Sequence, residues 1–256
     1  MQNNIHFSEL LRLIDERSTA FRAAIAAAPD LDVQVPTCPE WTLYDLAQHL
    51  GEGRRAWAAT VAAGAAATAK AAPLGDPVAP TGREALVAWL AESTRLLLDA
   101  LTEAGQDSPC WGWWGKSQTP LTAYGAARRQ LHEITVHTYD AQLAAGDPQP
   151  VPAEVAVDGV EEFLSTICTT TEAWPHGAAA VDYRTTEGRS WRNRLSEEGS
   201  RLGAVPADGT EPADATAAGT ANELLLALYC RIPFDTLELE GQRILFDQLF
   251  EWDPER

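Results

Sequence analysis

The spacing of apolar residues divides the chain into two stretches of different character. Through about residue 145 they recur three and four apart, the period of helices packed on one face. Leu10, Leu11, Ile14, Phe21 and Ile25 mark a first helix from about Ser8 to Ala28. "PTCPEW" breaks it, and Thr42 followed by Asp45 is a capping pair opening a second helix to about Gly64. The second stripe is Leu43, Leu46, Leu50, Trp57 and Val61. Past the Pro- and Gly-rich "AAPLGDPVAPTG", Thr81 and Glu84 carry the spacing of a capping box for a third helix, which Gly105 closes. The Trp-rich loop "QDSPCWGWWGKSQTP" leads to a fourth helix from Pro120 to about Gly146. Four amphipathic helices of roughly 20 residues predict a four-helix bundle.

Beyond "GDPQPVP" the periodicity changes. A helix over 153–169 is followed by short candidate strands at 178–185 and 191–196, a buried helix in "GTANELLLALYCRI", a strand in "FDTLELEG" and a last helix in "RILFDQLFEW". The reading is an α+β chain, with a helical bundle over 1–147 and a small α/β domain over 152–256.

Composition narrows the function. The 256 residues are 45% hydrophobic and 22% charged, which supports packed cores, and the formal net charge of −18 argues against nucleic acid or an anionic membrane as partner. No basic segment precedes an apolar run at the N-terminus and no stretch approaches ~18 apolar residues, so neither a signal peptide nor a membrane span is expected. Cys38, Cys110, Cys168 and Cys230 are scattered without a CxxC pair, which fits a reducing, cytoplasmic setting.

The candidate chemistry lies in "RRQLHEITVHTYD", residues 128–140. It resembles a zinc-protease HExxH helix, but His132 and His137 are five apart and so about 140° from one another on a helix, too far to share an ion. Glu133 and His137 are four apart and are neighbours. They share a face with Ala126, Gln130, Ile134, Ala141 and Ala144. On the second helix His49 lies at the edge of the apolar stripe and can point inward. Two imidazoles and one carboxylate from two helices form a three-ligand metal set with an open position. A Glu–His pair on a helix is by itself ordinarily a solvated ion pair; the joint pattern is what carries the expectation. Cys38 reads as a small buried residue, and Arg54 and Arg55 as solvated.

"CPEWTLYDLAQHLGEGRRAW" and "RRQLHEITVHTYDAQLAAG" together resemble the mycothiol-dependent maleylpyruvate isomerase family, within the DinB-like bundle superfamily, and "GTANELLLALYCR" resembles that family's C-terminal α/β domain. Glu40 stands where the family usually has Gly. The resemblance implies a DinB-like bundle followed by a small α/β domain, Zn2+ or another divalent metal on His49, Glu133 and His137, and mycothiol as thiol cosubstrate attacking a small electrophile. It places Arg231 in catalysis. Asp140, three residues after His137, is a candidate outer acceptor for a ligand imidazole. Arg128 is a candidate cation for an anionic substrate. Trp111, Trp113 and Trp114 match no family motif; they are candidates for the substrate pocket or for a plug at the bundle end. Isomerisation and S-transfer share these motifs. Hydrolysis by metal-activated water and a non-catalytic, metal-holding interaction protein are the competing classes.

Overall fold

The computed structural model describes residues 5–207 and 211–252. The chain forms two compact units, Met1–Trp113 with Pro120–Val151, and Trp114–Thr119 with Pro152–Arg256.

The first unit holds α1 (Phe7–Ala27), a short hairpin of β1 (Gln34–Val35) and β2 (Cys38–Thr42), then α2 (Leu43–Ala63), α3 (Arg83–Ala104) and α4 (Ala123–Ala144). The start of α2 is fixed by the expected capping pair: Thr42 Oγ1 accepts from the Asp45 amide and Asp45 Oδ2 accepts from the Thr42 amide. The expected box at Thr81 does not form. Gly82 is the N-cap of α3 and has no side chain to offer the amides.

Helices α2 and α3 run parallel. Gly51 faces Trp89, and one turn later Arg55 Nε donates to Ser93 Oγ at 2.9 Å and Nη2 to Glu92 Oε2 at 3.0 Å. A Cβ on Gly51 would lie 1.8 Å from the Trp89 ring, so only glycine lets these helices approach so closely. Helices α1 and α4 also run parallel, since Tyr124 Oη donates to the Ile5 carbonyl and Thr138 Oγ1 to that of Arg17. Parallel neighbours cannot be joined by a tight turn, which accounts for the long Pro- and Gly-rich crossover between α2 and α3. The core joins Phe21 and Ile25 of α1, Leu43, Leu46 and Leu50 of α2, Leu86, Trp89 and Leu90 of α3 and Ile134 of α4.

The reading of Arg54 and Arg55 as solvated is overturned: they are 4% and 3% exposed. Arg54 continues the Leu50–Trp57–Val61 stripe at helical spacing and therefore faces inward. Arg55 turns to α3, whose Ser93 and Glu92 supply its acceptors, and its guanidinium lies over the Trp89 ring at 5.2 Å.

The second unit is a five-stranded sheet in the order β5-β4-β3-β6-β7, with β3 (Ala179–Thr185), β4 (Ser190–Ser196), β5 (Gly199–Gly203), β6 (Ala215–Gly219) and β7 (Glu238–Gly241). Only β3 and β6 pair in parallel. Helices α5 (Ala153–Thr166), α6 (Ala221–Leu228) and α7 (Ile244–Glu251) complete it. Strands β5 and β6 escape the sequence reading because "GSRLG" and "ATAAG" lack the β-branched and aromatic residues that mark strands; β6 is specified by pairing on both sides.

Candidate metal centre

Local structure brings His49, Glu133 and His137 together. The capped start of α2 sets the azimuth of His49 seven residues on, and the four-residue step on α4 stacks His137 over Glu133. Glu133 Oε1 lies 3.1 Å from His49 Nε2 and 3.4 Å from His137 Nε2. The three donor atoms lie within 4.8 Å of one another, close enough to face one ion. His132 is fully buried and is not among them.

Glu133 and His137 are each held by a partner outside the set. Arg129 Nη2 donates to Glu133 Oε2 at 3.0 Å. Burial works to raise the Glu133 carboxyl, but hydrogen bonds from His137 and His49 and the charge of Arg129 hold it well below the usual carboxylate range. His137 Nδ1 pairs with Asp140 Oδ2 at 2.8 Å. Burial opposes the imidazolium, yet the Asp140 and Glu133 carboxylates raise the His137 proton affinity above its ordinary value. Asp140 is fully buried; its Oδ1 accepts from Thr37 Oγ1 at 2.6 Å, and Cys38 Sγ lies 3.9 Å from its Oδ2. Because Asp140 engages Nδ1 of His137, the other nitrogen keeps its lone pair for the centre. Cys38, His137 and Asp140 form a second cluster with metal-donor spacing. Its carboxylate is fully buried, whereas the His49 and Glu133 side chains are 40% and 28% exposed, so the His49–Glu133–His137 set is the more open. Cys38 is half-buried beside that carboxylate, a neighbourhood its flanking sequence did not disclose.

Trp41 is the aromatic side chain at the centre. Its ring centroid is 4.7 Å from that of His49 and 6.2 Å from that of His137. It belongs to "CPEWT", so the signal lay in the motif already singled out. Trp111 instead stacks near Trp57 at 6.1 Å, two turns along α2 from His49; Trp113 is 43% exposed, and Trp114 is buried and belongs to the second unit. Arg128 is buried on α4, about 140° around the helix from Glu133, whereas Arg129 shares its face. The same angular reasoning that separates His132 from His137 picks out Arg129, which the sequence reading passed over. Arg231 lies in the second unit just after α6. Cys230, at φ 58°, ends the helix in the left-handed conformation, the Arg231 amide donates to the Leu226 carbonyl at 2.7 Å, and its Nη1 donates to the Tyr229 carbonyl at 2.8 Å.

The sequence pattern of the mycothiol maleylpyruvate isomerase N-terminal domain matches residues 11–142, and that of the MDMPI C-terminal domain matches residues 154–248. No curated protein matches the chain. Two solved structures are similar, one described as the mycothiol-dependent maleylpyruvate isomerase and one as its His-to-Ala mutant. Both have a TM-score of 0.60 and cover 93% of this chain and 95% of their own, at 14% and 13% identity respectively. At such identity the likeness shows the fold: a helical bundle followed by a sheet unit. With both domain patterns present in chain order, the protein belongs to the mycothiol maleylpyruvate isomerase family.

Proposed function

We propose that the protein is a zinc-dependent enzyme that takes mycothiol as thiol cosubstrate and isomerises an anionic electrophile of the maleylpyruvate kind. The observation that carries this reading is the convergence of His49 Nε2, His137 Nε2 and Glu133 Oε1 in a member of this family. Two imidazole nitrogens and one carboxylate are donors that suit zinc, which His49, Glu133 and His137 would hold, and the Asp140–His137 hydrogen bond is the outer support such sites use. Bound zinc would supply Lewis acidity favouring thiolate over thiol.

That help matters because a free thiol of pKa ~8.5 is only a few per cent ionised at pH 7. The chain's own residues do the rest by positioning, which can supply ~7–11 kcal/mol. Asp140 fixes the His137 ring, Arg129 keeps Glu133 ionised and aimed inward, and Trp41 limits the rotation of His49. In the isomerisation the thiolate adds to one alkene carbon as the double bond opens. The resulting single bond rotates, and the C–S bond breaks as the double bond re-forms. No net proton or electron is exchanged.

The test is turnover of maleylpyruvate by zinc-loaded protein with mycothiol, with glutathione and with no thiol. Turnover is expected with mycothiol, weakly at most with glutathione, and not without thiol. Robust thiol-free turnover overturns the reading in favour of hydrolysis, and a stable thioether product replaces isomerisation by S-transfer. Arg231 is proposed to act by charge on the anionic substrate: Arg231→Ala should lose more kcat/KM than Arg231→Lys. Wild-type values in both would remove it from the machinery.

A further inference from the structure

The apolar stripe of α2 contains one charged residue, Arg54. It is 4% exposed, between Leu50 and Trp57 on the inward face. Its Nη1 donates to Thr94 Oγ1 of α3. Its Nη2 is buried and meets no hydrogen-bond partner among the described residues. On α1, Arg22 Nη2 donates to Thr19 Oγ1 at 2.8 Å, while its Nη1 is likewise buried with no partner among them.

The charges of Arg22 and of Glu133 both act on the Arg54 guanidinium. Burial and the charge of Arg22 lower the Arg54 proton affinity to about 9, while Glu133 and Asp15 work to raise it. Arg54 is therefore still a cation at neutral pH. The Glu133 carboxylate cannot satisfy it, because Oε2 is taken by Arg129 and Oε1 faces the two imidazoles. Asp15 is exposed. In a chain of net charge −18, a buried guanidinium and a half-buried one thus each keep an inward nitrogen with no hydrogen-bond partner among the described residues. A buried, unsatisfied guanidinium is costly to fold around. Its planar fork matches a carboxylate in two-point contact.

We propose that Arg54, backed by Arg22, is the site that takes a carboxylate of the electrophile and orients it toward the His49–Glu133–His137 donors. The inference rests on the proposed function for the identity of the substrate, but its test uses no thiol and no turnover, so the two can fail separately.

The experiment is calorimetric titration of the zinc-loaded full chain with maleate, a small dicarboxylate, and with neutral dimethyl maleate, alongside thermal unfolding. Wild type should bind maleate and not the diester. Arg54→Met should weaken maleate at least ten-fold, and Arg54→Lys, which keeps the charge but not the fork, by less. The melting temperature of Arg54→Met should equal or exceed that of wild type, where a purely structural arginine would lower it. Maleate should raise the wild-type melting temperature and leave that of Arg54→Met unchanged. If Arg54→Met does not fold, Arg22→Gln, at a half-exposed position, should weaken maleate several-fold. Undetectable maleate binding by wild type, equal binding of the diester, or wild-type affinity in the variants overturns the proposal.

Discussion

Asp182 and Arg192 in the sheet, and Arg54 in the bundle, are charged side chains taken out of water, yet they are treated in opposite ways. Asp182 on β3 is fully buried and every oxygen is used: Oδ1 accepts from Arg192 Nε at 2.6 Å, and Oδ2 from Arg192 Nη2 and Arg184 Nη2, each at 3.0 Å. Arg192 spends its remaining Nη1 on the Glu211 carbonyl at 2.9 Å. This pair is saturated, and it ties neighbouring strands together at the Asp182–Arg192 register position. Among the described residues Arg54 has only Thr94 as a hydrogen-bond partner. Saturation marks charge used to build; the open valence of Arg54 is what the proposed carboxylate would fill. Burial alone does not distinguish the two, and counting donors and acceptors does.

The largest expected effect follows from the saturated pair. Asp182→Ala leaves Arg192 buried without its carboxylate and should cost about 3–5 kcal/mol in urea unfolding. A loss below about 1 kcal/mol would erase the distinction drawn here.

The contrast also explains what could be read from residue spacing. The four bundle helices follow from apolar stripes and one true capping box, and the placing of His49, Glu133 and His137 on facing helices follows from 100° steps. Arg54 was equally accessible to that arithmetic, since it falls on the stripe of Leu50, Trp57 and Val61; the expectation that arginine is solvated overrode its position. Other features depend on tertiary pairing that no local pattern carries. Strands β5 and β6 are too poor in β-formers to announce themselves, and Thr37 and Cys38 meet Asp140 only because the β1–β2 hairpin folds against α4.

A smaller effect is expected where the bundle centre is itself well satisfied. Asp140→Asn keeps the shape but removes the charge behind His137, and should weaken zinc about 10–100-fold in a chelator competition while the metal-free protein still folds. Unchanged affinity would mean that Asp140, like Asp182, serves only to build the fold.

The smallest effect is on the acid side. Burial acts to raise the Asp182 carboxyl, but hydrogen bonds from Arg192 and Arg184 bring it below its ordinary value. A lowered folded-state pKa gives stability that is complete above about pH 4 and is lost as pH falls through the folded value. Asp182→Asn should therefore show a flatter fall in melting temperature between about pH 5 and pH 2 than wild type. Parallel curves would show that other carboxylates govern acid unfolding.

The hydrogen bond from Thr37 to Asp140 joins residues 103 positions apart. Contacts of such separation close late, after the entropy of a long loop has been overcome. A chain grown only as far as His137 carries both Glu133 and His137, but the aspartate behind the imidazole is not yet present, nor is the hairpin seated against it. If the proposed centre holds zinc, tight capture would be tied to the completion of folding, and zinc uptake followed in time during refolding would act as a clock for the final docking of the bundle.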